Sequence, residues 1–157
     1  MHTTRQILCK YPPDRQKLIN ILHEIQDANE YNYITENDMQ QVADFFNTTK
    51  ASIYGVVTYY TMLSTKPRGK NLIRVCKSPV CHISGAFSLI EMLKNELGLD
   101  HVGETSKDKM FTLEYSECLG QCAMAPGILI NKDFYGRLDK EKLKEILSYY
   151  KNESPSS

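Results

Sequence analysis

The sequence predicts an α+β protein in two parts, a helical N-terminal region followed by a layer in which helices and short strands share one core. Three observations predict it. Apolar residues recur at helical spacing as far as Tyr60, short β-branched runs begin only after Lys70, and between them Ser64 to Lys70 (STKPRGK) gathers proline, glycine and charge. The expected division is a helical region over residues 1–63, a linker over 64–70, a second domain over 71–150 and a loose tail over 151–157.

Pro12 and Pro13 precede Asp14, a good helix start, and Leu18, Ile21, Leu22 and Ile25 form the stripe that follows. Thr35 with Asp38 resembles a capping box in which Asp replaces Glu, ahead of Met39, Val42, Ala43 and Phe46. Thr48 or Thr49 can cap a third helix carrying Ile53, Val56, Val57 and Tyr60, which Gly55 is expected to divide in two. Beyond the linker, Asn71 to Val75 reads as a strand. Ala86 to Leu97, with Phe87, Ile90, Leu93 and Leu97 as its stripe, reads as a helix stopped by Gly98. Asp100 to Lys109 is a polar loop, and Phe111 to Tyr115 alternates as a strand does. Ile128 to Ile130 and Phe134 to Leu138 are short strands around a turn, and a final amphipathic helix runs from Asp139 or Lys140 to Tyr150. The order β-α-β-β-β-α is compatible with a thioredoxin-like layer, although periodicity alone does not separate it from other α+β folds.

At 157 residues and 18.0 kDa the chain can build one good core, or one core and a small helical extension. With 19 basic and 19 acidic residues it has no positive excess to attract nucleic acid or an anionic membrane. The N-terminus lacks the apolar stretch of a signal peptide, and no run approaches the ~18 apolar residues of a membrane span. The expected location is therefore the cytoplasm, either free or peripheral to a membrane complex, with no direct membrane insertion. Disulfides are rare there, so five cysteines need another explanation.

Four of them form two pairs. Cys76 and Cys81 lie in VCKSPVCHISGA with four residues between them; Cys118 and Cys122 lie in ECLGQCAMAP with three. Each pair follows a predicted strand, and adjacent strand ends share a sheet edge, so both pairs can meet at one point. Four thiolates converging in a reducing compartment suggest a metal centre. Structural zinc prefers short C-x2-C knuckles, although its range extends to C-x4-C. Longer spacings suit the wider 2Fe–2S cluster, whose two irons each need two thiolates. Gly120 and Ala123 leave room around the cysteines, loop N–H groups can donate to cluster sulfurs, and Cys81 is expected just before a helix that would favour its thiolate. Pro126 and Gly127 would stiffen and turn the loop. Iron–sulfur, zinc and redox thiols all remain open on spacing; C-x-x-C, the usual dithiol pattern, is absent.

The combined pattern, C-x4-C and then C-L-G-x-C-x-x-A-P, resembles the thioredoxin-like 2Fe–2S ferredoxin family. More narrowly, it is similar to the group that holds the 24-kilodalton subunit of NADH:quinone oxidoreductase (respiratory complex I). That group also holds the small diaphorase subunits of NAD(P)-linked and electron-bifurcating hydrogenases and of formate dehydrogenases. YGVVTYYTML, FTLEYSECLGQCAMAP and FYGRL…EKLKEIL match its shape, so the resemblance spans roughly Leu18 to Leu147. It implies cluster ligands at Cys76, Cys81, Cys118 and Cys122, and a thioredoxin-like C-terminal domain behind a helical bundle. It also implies a flavoprotein partner holding FMN, the NAD(H) site and a 4Fe–4S cluster, with further iron–sulfur or hydrogenase subunits in some complexes. The KSPV between the first cysteines departs from the small residues that are usual there. Lys77 would add positive charge beside the cluster, and Pro79 removes an N–H.

Other residues read more plainly. Cys9 is an incidental thiol, and His82 is exposed or outside the ligand set, since a Rieske-like centre needs two histidines. His2, His23 and His101 carry no motif. Tyr59 and Tyr60 suggest core or subunit packing, and Tyr149 and Tyr150 close the last helix. No G-x-G-x-x-G or P-loop offers a nucleotide site, so hydride chemistry is expected on another subunit. The expectation is an electron-transfer subunit with one 2Fe–2S cluster. The alternatives are a free-standing ferredoxin-like carrier and a zinc-stabilised interaction module.

Overall fold

The computed structural model describes residues 3–152, which divide into two compact units after Arg68. His2 and residues 153–157 of the expected tail lie outside the described residues. Lys151 and Asn152, also assigned to the tail, continue the last helix.

The first unit is all helical: α1 (Thr4–Leu8), α2 (Leu18–Asp27), α3 (Glu36–Phe45) and α4 (Lys50–Tyr59). Asp14 caps a short 3-10 turn at Arg15–Lys17 by accepting from the Gln16 N–H at 3.0 Å, and α2 follows. The capping box of α3 is present: Asp38 N–H donates to Thr35 Oγ1 at 3.1 Å, and Thr35 N–H donates to Asp38 Oδ2 at 3.0 Å. The helices bury Ile21, Leu22, Ile25, Met39, Val42, Ile53 and Val57 in one core, where each large side chain contributes about 1.5–3 kcal/mol. The short α1, which adds Ile7 and Leu8 to that core, has no periodic signal long enough to reveal it in the sequence.

Gly55 does not divide α4, which is continuous from Lys50 to Tyr59. Gly55 faces open space, and its neighbours Ile53 and Val57 anchor the helix on the opposite side. Burial there outweighs the weak helix propensity of one glycine.

Residues 64–70 are bonded at both ends. Ser64 N–H donates to Gln26 Oε1 at 2.8 Å, and buried Arg68 donates through Nε to the Asn32 carbonyl at 2.8 Å. In the second unit, Gly69 N–H donates to Thr112 Oγ1 at 2.6 Å.

The second unit contains β1 (Asn71–Cys76), α5 (Pro79–Ile83), α6 (Ala86–Leu97), β2 (Phe111–Ser116), β3 (Gly127–Ile130), β4 (Asp133–Gly136) and α7 (Lys140–Asn152). The sheet order is β2-β1-β3-β4, with β1 and β2 parallel and the other pairs antiparallel. Parallel neighbours need a long crossover, and α5 and α6 supply it. Ile73, Phe111, Leu113, Ile128 and Ile130 from the strands meet Leu89, Leu93, Leu97, Leu143 and Leu147 from α6 and α7. Gly98 ends α6 in the left-handed conformation at φ 66°, as its position suggests. Phe87 departs from the expected stripe: Ala86, Leu89, Ile90 and Leu93 take the buried face, and Phe87 is 66% exposed. Tyr150 is buried at the end of α7, where its hydroxyl donates to Asp133 Oδ2 at 3.0 Å and lies 3.1 Å from the Tyr135 hydroxyl.

Two glycines make opposite predictions. A Cβ at Gly55 meets nothing, so Gly55→Ala should raise the stability of the helical unit by about 0.5–1 kcal/mol. A Cβ at Gly69 would lie 2.5 Å from the Phe111 carbonyl carbon, so Gly69→Ala should cost about 1–3 kcal/mol. Denaturant melts of both variants check the two signs.

Candidate metal centre

Parallel pairing fixes where the cysteines go. In the β1–β2 register Cys76 stands opposite Ser116, so both strands deliver their cysteine loops at one edge. Lys77 N–H donates to the Ser116 carbonyl at 2.9 Å and carries the pairing one residue past β1. The chain then turns through Ser78 into α5, a single turn with Pro79 at its start, where a missing N–H costs nothing. Cys81 therefore sits inside a one-turn helix rather than just before the longer one, and that turn swings it back toward Cys76.

The second loop leaves β2 at Ser116. Gly120 adopts φ +75°, a region that disfavours other residues, and its N–H points at Cys118 Sγ at 3.4 Å. Cys122 opens a 3-10 turn, Cys122–Met124, and the Ala125–Pro126 bond that follows is cis. The β3–β4 hairpin lies against this turn. Arg137 N–H donates to the Met124 carbonyl at 3.0 Å. A Cβ at Gly136 would lie 2.6 Å from the same oxygen, and one at Gly127 would lie 2.5 Å from the Phe134 ring.

All four cysteines line one open pocket, together with Leu119, Gly120, Ala125 and Gly127. The site is asymmetric. Cys76 and Cys81 are buried against Ala86, Leu119 and Ala125, whereas Cys118 and Cys122 are exposed. Ser78 serves Cys76: its N–H donates to the sulfur at 3.5 Å and its hydroxyl lies 3.3 Å away. The Glu117 carbonyl lies 3.5 Å from the same sulfur. Burial pushes the Cys76 thiol up, but hydrogen bonds from the Ser78 hydroxyl and N–H, from Cys81 and from the Leu119 backbone together outweigh it, so Cys76 ionises below the ordinary thiol range. Cys81 is held above that range, first by burial and then by the adjacent Cys76, with Cys122 adding like-charge repulsion. Clustered thiolates are costly without a cation between them, and metal binding removes that cost. Convergent sulfurs, N–H groups aimed at two of them and a small apolar lining fit a thiolate-bound metal group.

The remaining candidates lie outside this lining. Cys9 is exposed in the first unit. His82 is exposed and packs edge-on against Phe87, with ring centres 5.4 Å apart. Tyr59 and Tyr60 stack edge to face at 5.3 Å and are both exposed, so they are not core residues. Lys77 is paired: its Nζ lies 2.6 Å from Glu117 Oε1, so it adds no isolated positive charge. The backbone donor to sulfur at this loop is Ser78, which directly precedes Pro79. Sequence reasoning missed Ser78 and Glu117; the only signal for either is its position, two residues after one cysteine and one before another.

A thioredoxin-like layer with four thiols opening into one pocket beside its parallel strand pair is the class of architecture the fold and site define. Residues 4–151 match the family described as thioredoxin-like [2Fe-2S] ferredoxin, and the chain belongs to that family. The family's cofactor is a 2Fe–2S cluster. The chain is 38% identical over 140 residues to the E subunit of the NADH-quinone oxidoreductase of Aquifex aeolicus, covering 89% of this chain and 86% of that one. It is 31% identical over 145 residues to the NADP-reducing hydrogenase subunit HndA of Solidesulfovibrio fructosivorans, covering 92% and 83%. It spans only 60% of the length of the corresponding NADH-quinone oxidoreductase subunit of Mycobacterium bovis, at 30% identity over 98% of this chain. Its fold matches a solved NAD+-reducing [NiFe]-hydrogenase in the H2-reduced state with a TM-score of 0.75 at 18% identity, over 88% of this chain and 23% of that one. No helix among the described residues is long and apolar enough to cross a membrane.

The asymmetry of burial predicts the order of thiol reactivity in metal-free, reduced protein. Cys9, Cys118 and Cys122 should alkylate first, and Cys76 and Cys81 only after a lag that vanishes in denaturant. Peptide mass spectrometry over a time course reads this order directly.

Proposed function

We propose that the chain is a one-electron carrier in a flavin-containing complex that oxidises NAD(P)H or reduces NAD(P)+, of the complex I or hydrogenase-diaphorase type. Cys76, Cys81, Cys118 and Cys122 are the ligands of its single 2Fe–2S cluster. The observation that carries this reading is the opening of all four thiols into one pocket, in a chain of the thioredoxin-like [2Fe-2S] ferredoxin family.

When bound, the cluster supplies single-electron transfer. The protein's part is to set where that electron is stable. Ser78 and Gly120 aim N–H groups at sulfur, which favours the more negative, reduced form. Ala86, Leu119 and Ala125 keep water from the inner thiols. The exposed outer thiols leave one side open for exchange with a partner.

Hydride chemistry belongs to a flavoprotein subunit that holds FMN and NAD(H), with a 4Fe–4S cluster to pass electrons on. Residues 71–150 form the cluster domain, 64–70 the connection and 1–63 the docking region. Exposed Tyr54, Tyr59, Tyr60 and Met62 on and just after α4 give that region an apolar surface suited to docking. The complex works in the cytoplasm or at the membrane's cytoplasmic face.

Anaerobically purified or reconstituted protein should be brown, contain two irons and two sulfides per chain, and give a paramagnetic signal after one-electron reduction. Serine at any one of Cys76, Cys81, Cys118 or Cys122 should sharply lower the iron content, while Cys9→Ser and His82→Ala should leave it unchanged. A colourless protein that retains zinc after reconstitution would overturn the reading.

A further inference from the structure

The two cysteine loops are joined at their roots by charge as well as by backbone. Lys77 directly follows Cys76, and Glu117 directly precedes Cys118. Their side chains meet at 2.6 Å, alongside the Lys77 N–H bond to Ser116 and the approach of the Glu117 carbonyl to Cys76 Sγ. The pair therefore bridges the first ligand loop to the second. It also places one positive and one negative group, of cancelling charge, within one residue of two ligand thiols.

We infer that the Lys77–Glu117 ion pair is a charge-balanced positioning element that sets the potential of the site by holding its two loops together with no net charge. The inference rests on the proposed ligand set. Reduction adds one electron and makes or breaks no bond, so the site gains one negative charge. A lone cation nearby favours that gain, and a lone anion opposes it. The two side chains are 45% and 85% exposed, so salt will screen part of the effect. If the pair only braced the loops, removing either partner would disturb both loops alike and shift the potential with the same sign, whereas unbalancing its charge shifts it in opposite directions in the two single variants.

The test is a potentiometric titration of the full-length holoprotein, followed by the paramagnetic signal of the reduced cluster at low ionic strength. Iron and sulfide are counted in every sample. Lys77→Gln should lower the midpoint potential, because it leaves Glu117 unopposed. Glu117→Gln should raise it. The charge-exchanged double variant Lys77→Glu/Glu117→Lys and the conservative Lys77→Arg should both return it close to that of the unmodified protein. The opposite shifts should shrink as salt is added. Equal potentials in all variants, or shifts of one sign in both single variants, would overturn the inference while leaving the ligand assignment intact. Absence of two irons and two sulfides from the unmodified protein would overturn both.

Discussion

The pairing of β1 with β2 in parallel is the constraint on which the site depends. Antiparallel neighbours would send the loops after Cys76 and Ser116 to opposite ends of the sheet. With Cys76 opposite Ser116, both loops must start within one strand spacing of each other. The core follows from the same pairing. A parallel pair needs a crossover, the crossover contains α6, and α6 brings the leucines that cover the strands. The cysteines and the core are thus two results of one topology.

The loops complete what the strands begin by giving the inner and outer thiols different surroundings. Hydrogen bonds from Ser78, Cys81 and the Leu119 backbone together outweigh the burial of Cys76, but the help of Ser78 to Cys81 falls short of what burial and the neighbouring thiols impose there. Ionising Cys81 therefore carries an electrostatic cost that a proton on its sulfur or a bound cation would relieve. Packing in the sheet and its helices holds that unfavourable arrangement in place. The small apolar residues around it are the means by which water is kept from relieving it instead.

Much of this could be read from the residues. Stripes such as Leu18–Leu22–Ile25 and the Thr35–Asp38 cap are local patterns with local causes, and the structure keeps them. The β-α-β-β-β-α order was legible because helices and strands impose different periods on their apolar residues. What escaped lies where the tertiary environment decides. α1 and α5 are too short to show a period. Gly55 reads as a break, but α4 is anchored on either side of it. Phe87 reads as core at the start of α6, yet that turn buries Ala86 instead. At the site, convergence of the cysteine pairs was legible from spacing and strand placement. The pairing of Lys77 with Glu117 was not, because they stand forty positions apart and only the sheet register brings them together.

The hairpin formed by β3 and β4 carries a further consequence for how such a sequence can drift. It contributes no sulfur, yet Gly127 and Gly136 sit where any side chain would collide with Phe134 or with the carbonyl of Met124. The turn that presents Cys122 is held by the Arg137 N–H on the Met124 carbonyl and by the Arg137 guanidinium, which donates to the Ala123 carbonyl at 3.4 Å. The geometry of this turn therefore restricts substitution at positions that bear no reactive atom, and the packing that presents the thiols reaches beyond the cysteines themselves. A neighbouring residue such as Asn131 or Lys132, at the far tip of the hairpin, is under no such restraint from the cysteines. Asn131 answers to the start of β1 instead: it adopts φ 54°, its Oδ1 accepts from the Leu72 N–H at 2.9 Å, and its Nδ2 donates to Asn71 Oδ1 at 2.9 Å.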